Sequence, residues 1–154
     1  MATEIRTDKL AAWRLFLRSH STITRRLDAD LIASHGLTLH DYEVLVHLER
    51  APGSRMRPSD LTDSVILTRS GVTRLLAGLE ESGLVRREAC EADRRVIYAV
   101  LTEPGHDKLR EARPTHLQGV GELFVDRFGE DELDSLCDLL ENLPITAADL
   151  PACG

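Results

Sequence analysis

The chain has 154 residues, of which 42% are hydrophobic and 29% are charged, and its formal net charge is −7. This length and composition predict one soluble globular domain and exclude an intrinsically disordered protein. No apolar run approaches the roughly 18 residues that a bilayer crossing needs, and the N-terminus lacks the apolar core of a signal peptide. We therefore expect a cytoplasmic protein that does not bind membranes.

The net charge conceals an uneven distribution of basic and acidic residues. Residues 50–95 contain nine Arg and seven Asp or Glu, whereas the rest of the chain carries ten basic and nineteen acidic residues. Nine carboxylates and one basic residue lie between Glu122 and Asp149. A protein that is acidic overall can therefore still present a local basic surface to a nucleic acid.

The first predicted element is a long amphipathic helix from about Asp8 to Ser34. Apolar or aromatic side chains recur there every three or four positions, on one stripe. The stripe consists of Trp13, Phe16, Leu17, His20, Ile23, Leu27 and Leu31. Gly36 suits the left-handed position that ends such a helix. A helix of this length spans about 40 Å, which is long for a monomer of this size and favours packing against a partner chain.

Three further helices are predicted in the middle of the chain. Thr38, followed three residues later by Asp41, predicts the capped start of the second helix. Pro58 fits the first position of a short third helix. Thr68 is a good N-cap for the fourth helix, and Gly83 is a good C-terminal stop.

The periodicity then changes from helical to extended. Two β-prone runs, 84–89 and 96–101, flank a polar connection and predict a hairpin. Thr102 caps another helix that we expect to run to about Phe128. A last leucine-rich amphipathic helix follows and is expected to stop at Pro144.

The central order of helix, helix and hairpin predicts a winged helix-turn-helix. In such a motif, the N-terminal residues of the second helix reach base edges in the major groove. The corresponding small polar and basic residues here are Thr68, Arg69, Ser70, Thr73 and Arg74. The arginines of the hairpin, which suit contacts with phosphates or the minor groove, are Arg86, Arg87, Arg94 and Arg95. A single exposed arginine usually contacts only water, but the coincidence of basic groups at both places favours DNA binding.

Six short motifs follow one another in a characteristic order. They are Pro58-Ser59-Asp60-Leu61, Thr73-Arg74-Leu75, Leu79-Glu80, Gly83-Leu84-Val85, Asp93-Arg94-Arg95 and Leu101-Thr102 with Gly105. Together they resemble the MarR family of winged-helix regulators, and the flanking helices fit that family as well. The resemblance implies a homodimer that binds a palindromic operator in double-stranded DNA, usually as a repressor. It also implies that DNA is released when a small effector, typically an aromatic acid or another anion, binds.

The fold expected from these observations is mainly α with a small β-hairpin. A winged helix-turn-helix lobe would be flanked by N- and C-terminal dimerisation helices. The expected divisions are an N-terminal dimerisation helix (1–36), a winged helix-turn-helix DNA-binding lobe (37–102), and C-terminal dimerisation helices with a tail (103–154).

The resemblance also implies roles for individual residues of the lobe. Arg95, next to Arg94, corresponds to a wing arginine that enters the minor groove. Asp93 corresponds to a carboxylate that orients this arginine by an ion pair or through the turn. Ser59 corresponds to a phosphate contact. The sequence departs from the family at Arg57, where a Ser or Thr cap is usual, and it lacks the first-helix cysteine of the peroxide-sensing branch.

The family's effector pocket lies between the dimerisation helices and the winged lobe, where an anionic ligand needs Arg, His or Tyr. The candidate lining residues are Trp13, Arg14, Arg18, His20, Tyr42, His47 and His116. The competing interpretation assigns the histidines and Trp13 to the core or to a subunit interface.

No motif for an enzyme is present: there is no Gly-rich phosphate loop, nucleophile elbow or HExxH pair. The cysteines, Cys90, Cys137 and Cys153, form no CxxC pair, so we expect neither a structural metal nor another cofactor. Two alternatives stay open: a redox-responsive regulator acting through Cys90 or Cys137, and a winged-helix protein-interaction module.

Overall fold

A computed structural model describes the backbone of residues 2–144 and the side chains of residues 10–144. The helices within this range are α1 (Ala2–His35), α2 (Leu39–Arg50), α3 (Pro58–Ser64), α4 (Arg69–Glu81), α5 (Glu103–Leu123) and α6 (Glu130–Leu140). The strands are β1 (Arg55–Met56), β2 (Val85–Ala89) and β3 (Ile97–Leu101). They form an antiparallel sheet in the order β1-β3-β2. The predicted fold class is confirmed, with β1 as a strand that the sequence does not predict.

The boundary between α1 and α2 follows the predicted local signals. Gly36 adopts φ +67°, and its N–H bonds to the carbonyl of Ile32. The Thr38 hydroxyl accepts a hydrogen bond from the Asp41 N–H at 3.1 Å, while the Asp41 carboxylate accepts one from the Thr38 N–H at 2.9 Å. This reciprocal capping box fixes the direction in which α2 leaves α1.

The core lies where the C-terminal half of α1 meets α2, α5 and the winged lobe. Leucines that are fully or almost fully buried define it: Leu27, Leu31, Leu45, Leu48, Leu61 and Leu109. Burial of each such side chain contributes about 1.5–3 kcal/mol relative to exposure. The N-terminal half of α1 has no comparable cover, because Trp13 and Phe16 are about half exposed.

Two predicted helix ends are wrong. Helix α5 ends at Leu123 instead of about Phe128, because Phe124 leaves the helical conformation and a short 3₁₀ turn, Val125–Arg127, follows. The rings of Phe124 and Phe128 then meet edge to face, with centroids 5.4 Å apart. Helix α6 ends at Leu140, where the Asn142 amide donates to backbone carbonyls of the last turn and competes with a further turn.

None of the helices in residues 2–144 combines the length and apolar character needed to cross a membrane. The end of the predicted C-terminal region, from residue 145 onward and including Cys153, lies outside the described residues.

Candidate DNA-binding surface

Helices α3 and α4 with the turn between them form the helix-turn-helix, and α4 is its second, recognition helix. The Thr68 hydroxyl accepts a hydrogen bond from the Gly71 N–H at 3.1 Å, as predicted for an N-cap. The Ser70 hydroxyl lies 3.1 Å from the same oxygen. Val72 and Leu76 hold one side of α4 in the core. The opposite side is therefore directed to solvent in a fixed orientation.

The residues predicted to face the major groove are all exposed: Thr68, Arg69, Ser70, Thr73 and Arg74. The Thr73 hydroxyl donates to the Arg69 carbonyl at 3.0 Å, so this hydroxyl is already hydrogen-bonded within α4. Within residues 10–144, neither Arg69 nor Arg74 forms an ion pair. Ser59, the predicted phosphate contact, is exposed in the first turn of α3.

The wing consists of β2, β3 and the tip that joins them, residues 90–96. At its base, the Cys90 N–H donates to the Val96 carbonyl at 2.9 Å. The Asp93 carboxylate accepts a hydrogen bond from the Arg95 backbone N–H at 3.0 Å. Arg94 and Arg95 occupy a hydrogen-bonded turn and are exposed. Because the tip is a turn, Asp93 and Arg95 do not lie side by side on an extended strand.

The arginines of the wing fall into two groups. Arg87 on β2 donates to the Glu80 carboxylate of α4 at 2.9 Å, and Arg86 pairs with Glu88 on its own strand. Arg94 and Arg95 at the tip have no ion pair in the part of the chain whose side chains are described. The tip arginines are therefore available to a phosphate, whereas the strand arginines already have protein partners.

A cavity of about 390 Å³ opens between α1, the start of α2 and the helix-turn-helix turn. It is lined by His20, Thr24, Arg25, Asp28, Leu39, His40, Glu43 and Ile66. Its volume lies within the range of small-molecule sites. Of the predicted effector residues, the structure brings His20 to this cavity.

The cavity also contains two basic residues that the sequence does not single out, Arg25 and His40. Its two carboxylates are already engaged: Asp28 accepts from the Leu39 N–H at 2.8 Å, and Glu43 lies 3.3 Å from the His40 ring. His20 and Thr24 are four residues apart on α1 and therefore share a helix face. Arg25 follows Thr24 directly, and this spacing is the sequence signal that Arg25 lies close to the same surface.

Tyr42 and His116, two other effector candidates, contact each other between α2 and α5. Their ring centroids lie 4.4 Å apart, and Tyr42 is 5% exposed. Arg113 of α5 hydrogen-bonds to Glu49 of α2, which connects the two helices further. Burial raises the pKa of Tyr42, although Arg113 lowers it in part.

The environment of His116 disfavours the protonated, charged form of its ring. Its Nδ1 is buried and has no hydrogen-bond partner among the described residues. Burial lowers the pKa of His116 below its ordinary value of 6.5, and Glu43 opposes this effect. His116 is therefore a neutral side chain at the α2–α5 contact near neutral pH.

The remaining effector candidates lie elsewhere. Trp13, Arg14 and Arg18 are exposed on the N-terminal half of α1, and His47 is half-buried on α2. Cys90 is half-buried at the base of the wing tip.

Cys137 is exposed on α6. Among the residues described, no cluster of three His, Cys, Asp or Glu side chains could hold a metal ion.

These elements define a winged helix-turn-helix protein, with a capped recognition helix and a wing that carries exposed arginines at its tip. A sequence model of the MarR family matches residues 35–96. AbsC, a MarR family transcriptional regulator from Streptomyces coelicolor, is 39% identical with a TM-score of 0.79, over 86% of this chain and 88% of that one. Sco3205, a MarR family regulator from the same organism solved in complex with DNA, is 32% identical with a TM-score of 0.83, over 94% and 93%.

The transcriptional repressor MprA of Escherichia coli is 31% identical over 84 residues, which is 54% of this chain. The match spans about half of MprA, 48% of its length. The matches to the two Streptomyces coelicolor structures extend beyond the winged lobe, since they cover 86% and 94% of this chain. The chain belongs to the MarR family.

Proposed function

We propose that this protein is a DNA-binding transcription regulator, acting as a repressor, that binds a palindromic operator as a homodimer. The observation that carries the proposal is the contrast between the lobe's arginines. Those on the recognition helix and at the wing tip are exposed without an ion pair among the described residues, while Arg86 and Arg87 on the wing strand are neutralised. A surface selected only for solubility would not require this division.

Exposed apolar residues on the flanking helices support dimerisation. They are Leu10, Trp13, Phe16 and Leu17 on α1, Leu117 on α5, and Leu139 on α6. On α1 these residues recur every three or four positions and form an apolar stripe, and a large apolar patch is rarely left open to water on a monomer. In a dimer with twofold symmetry, the two recognition helices would contact successive major grooves about 34 Å apart.

The cavity beside His20 supports an effector that is aromatic or anionic. Leu39 and Ile66 provide an apolar wall, Arg25 provides positive charge, and the His40 ring provides a hydrogen-bonding group. Ile66 belongs to the turn between α3 and α4, so a ligand in this cavity would contact the helix-turn-helix directly. A ligand that prefers the geometry unable to bind DNA would weaken operator binding, with a coupling of about 1–3 kcal/mol.

The experiment that tests the function is selection of bound duplexes from a random DNA pool, followed by footprinting on the enriched sequence. We expect a palindromic sequence whose half-sites are one helical turn apart. A pool that yields no enriched sequence would contradict the proposal and favour a protein-interaction module.

The effector is then sought by screening aromatic carboxylates for release of that operator. The matched variants are Arg25→Gln in the cavity and Arg26→Gln beside it, since Arg26 is exposed and paired with Asp30 at 3.1 Å. We expect Arg25→Gln to reduce the response while Arg26→Gln retains it. Equal responses from both variants would exclude Arg25 as a ligand contact.

A further inference from the structure

The sheet has an inner and an outer face, which its register defines. Met56 of β1 pairs with Ala99 of β3, and both lie against the core. Side chains alternate along a strand, so the neighbouring row points the opposite way. That row places Arg55 and Arg86 on either side of Val100. We call this side of the sheet, with Tyr98 and Glu88 of the next row, the outer face.

The outer face carries an organised group of charges. Arg55 lies 3.5 Å from the Glu88 carboxylate, and Arg86 pairs with the same carboxylate. The Arg55 guanidinium also lies 4.7 Å from the centre of the Tyr98 ring. Glu88 thus occupies the position that an external anion would take between two arginines.

Arg57 adds a further positive charge and explains a departure noted in the sequence. It is the N-cap of α3, but its side chain makes no capping hydrogen bond. Instead its guanidinium lies 6.0 Å from the centre of the Tyr98 ring, on the outer face. No ion pair neutralises Arg57 within the residues whose side chains are described. The outer face therefore keeps an excess of positive charge despite Glu88.

We propose that the outer face binds phosphates of the DNA that flanks the operator, and that Glu88 limits this binding by neutralising Arg55 and Arg86. The inference rests on the proposed DNA-binding function. Arg57 lies two residues before Ser59, the predicted phosphate contact, and the outer face belongs to the same strands that carry the wing tip. The outer face is thus carried by the same elements as the proposed DNA-binding surface, and arginine pairs well with phosphate.

The test compares two DNA probes. One is the selected operator trimmed to its footprint, and the other is the same duplex extended at both ends by about ten base pairs, one helical turn, of arbitrary sequence. Affinity is measured at several salt concentrations for the parent, Arg57→Gln, Arg57→Lys and Glu88→Gln. The charge controls are Arg110→Gln and Glu111→Gln on α5, where Arg110 is exposed and paired with Asp107.

We expect the parent to bind the extended duplex more tightly than the trimmed one. Arg57→Gln should lose this gain and lower the slope of log affinity against log salt by about 0.9 per subunit, while leaving the trimmed duplex unchanged. Arg57→Lys should retain the gain because it keeps the charge. Glu88→Gln should increase the gain, because it releases two arginines, and the α5 controls should behave like the parent.

Several outcomes would overturn the inference. The first is that Arg57→Gln binds the extended duplex as tightly as the parent does. The second is that Arg57→Gln loses affinity equally for both duplexes. The third is that the charge controls on α5 change affinity as much as Arg57→Gln does. Failure of the proposed function is distinguishable, because it would appear earlier, as a random DNA pool that yields no operator. If Arg95→Ala weakens operator binding and Arg57→Gln does not, the outer-face inference alone is wrong; if neither variant changes binding, the wing assignment is wrong as well. Thermal melting confirms that each variant is folded.

Discussion

The Asp93 carboxylate accepts a hydrogen bond from the Arg95 backbone N–H at 3.0 Å, and it forms no ion pair with the Arg95 guanidinium. Of the two ways in which Asp93 was expected to orient Arg95, the structure therefore has the one that acts through the turn. The hydrogen bond fixes the backbone from which the Arg95 side chain projects. The guanidinium itself remains available for DNA.

Arg95→Ala should strongly lower operator affinity without unfolding the protein, since Arg95 is exposed at the wing tip. The slope of log affinity against log salt should fall by about 0.9 for each phosphate-neutralising charge that is lost. Binding at several salt concentrations measures both effects, and circular dichroism verifies the fold. A folded Arg95→Ala protein with parental affinity would refute the wing assignment.

Asp93 variants test the role of the turn separately. Asp93→Ala should weaken operator binding less than Arg95→Ala, because it loosens the backbone but keeps the guanidinium. Asp93→Asn retains a side-chain carbonyl that can accept the Arg95 N–H, so its affinity should stay closer to that of the parent. If Asp93→Asn were as weak as Arg95→Ala, the charge of Asp93 would matter more than its hydrogen bond.

Arg74→Ala should differ in kind from Arg95→Ala. If Arg74 reads a guanine through two hydrogen bonds, its loss should reduce discrimination between the operator and a mutated operator by about 1–3 kcal/mol. Competition between the two duplexes at constant salt measures this difference. A uniform loss of affinity on both duplexes would instead make Arg74 a phosphate contact.

The sequence predicts those parts of the fold that depend on neighbouring residues. The Thr38–Asp41 capping box and the Thr68 cap are encoded within four residues, and both form as expected. Strand β1 escapes prediction because two residues carry no periodicity. It exists only because Arg55 and Met56 pair with β3, which is distant in sequence.

The candidate sites divide in the same way. The candidate DNA-contact residues of α4 and the wing tip could be selected from their positions in the sequence motifs, because the helix and the turn that carry them also determine that they are exposed. The cavity beside His20 could not be predicted from the sequence, because its lining residues come together only when α1 packs against α2 and the helix-turn-helix turn. For this reason Arg25 and His40 were not among the expected residues, whereas Trp13 was.

Dimerisation is testable through Phe16, which is 45% exposed and stacks against Trp13 at 6.3 Å. Phe16→Glu should convert the dimer to monomers, because a carboxylate buried at an apolar interface loses its hydration. Ile66→Glu is the control: Ile66 is 89% exposed in the helix-turn-helix turn, so this variant should remain dimeric. Sedimentation of the parent as a monomer at micromolar concentration would contradict the prediction.

His116 predicts a pH dependence of stability. Its folded-state pKa is lowered by burial, so the unfolded chain binds a proton more readily. The contribution of neutral His116 is therefore fully present well above pH 6.5 and is lost as the pH falls through 6.5 towards the folded pKa. The groups that face it are Tyr42 and, more weakly, Glu43.

His116→Phe should accordingly make the free energy of unfolding less dependent on pH between about 7 and 5. Urea unfolding at a series of pH values, with parent and variant compared at each, gives the difference. Identical pH profiles would show that His116 does not titrate differently in the folded state.

The last prediction concerns two glycines that are chemically alike but differ in their surroundings. Gly105 lies in the first turn of α5, against the chain that enters the wing, and a Cβ there would lie 2.2 Å from the Leu84 carbonyl oxygen and 2.6 Å from the Leu101 side chain. The contact is rigid, since Thr102 hydrogen-bonds to the carbonyls of Gly83 and Leu84.

Gly105→Ala should therefore lower the free energy of unfolding by about 1–3 kcal/mol or more, because the backbone at Leu84, just before β2, must shift. Gly78→Ala is the matched control: Gly78 is exposed on α4 and no atom beyond its chain neighbours and the local helix backbone lies within 4 Å of its Cβ position, so alanine should stabilise the helix by up to about 1 kcal/mol. Chemical unfolding of both variants gives the two free energies. If Gly105→Ala were as stable as the parent, α5 could move away from the wing, and the close contact that joins α5 to the winged lobe would not be rigid.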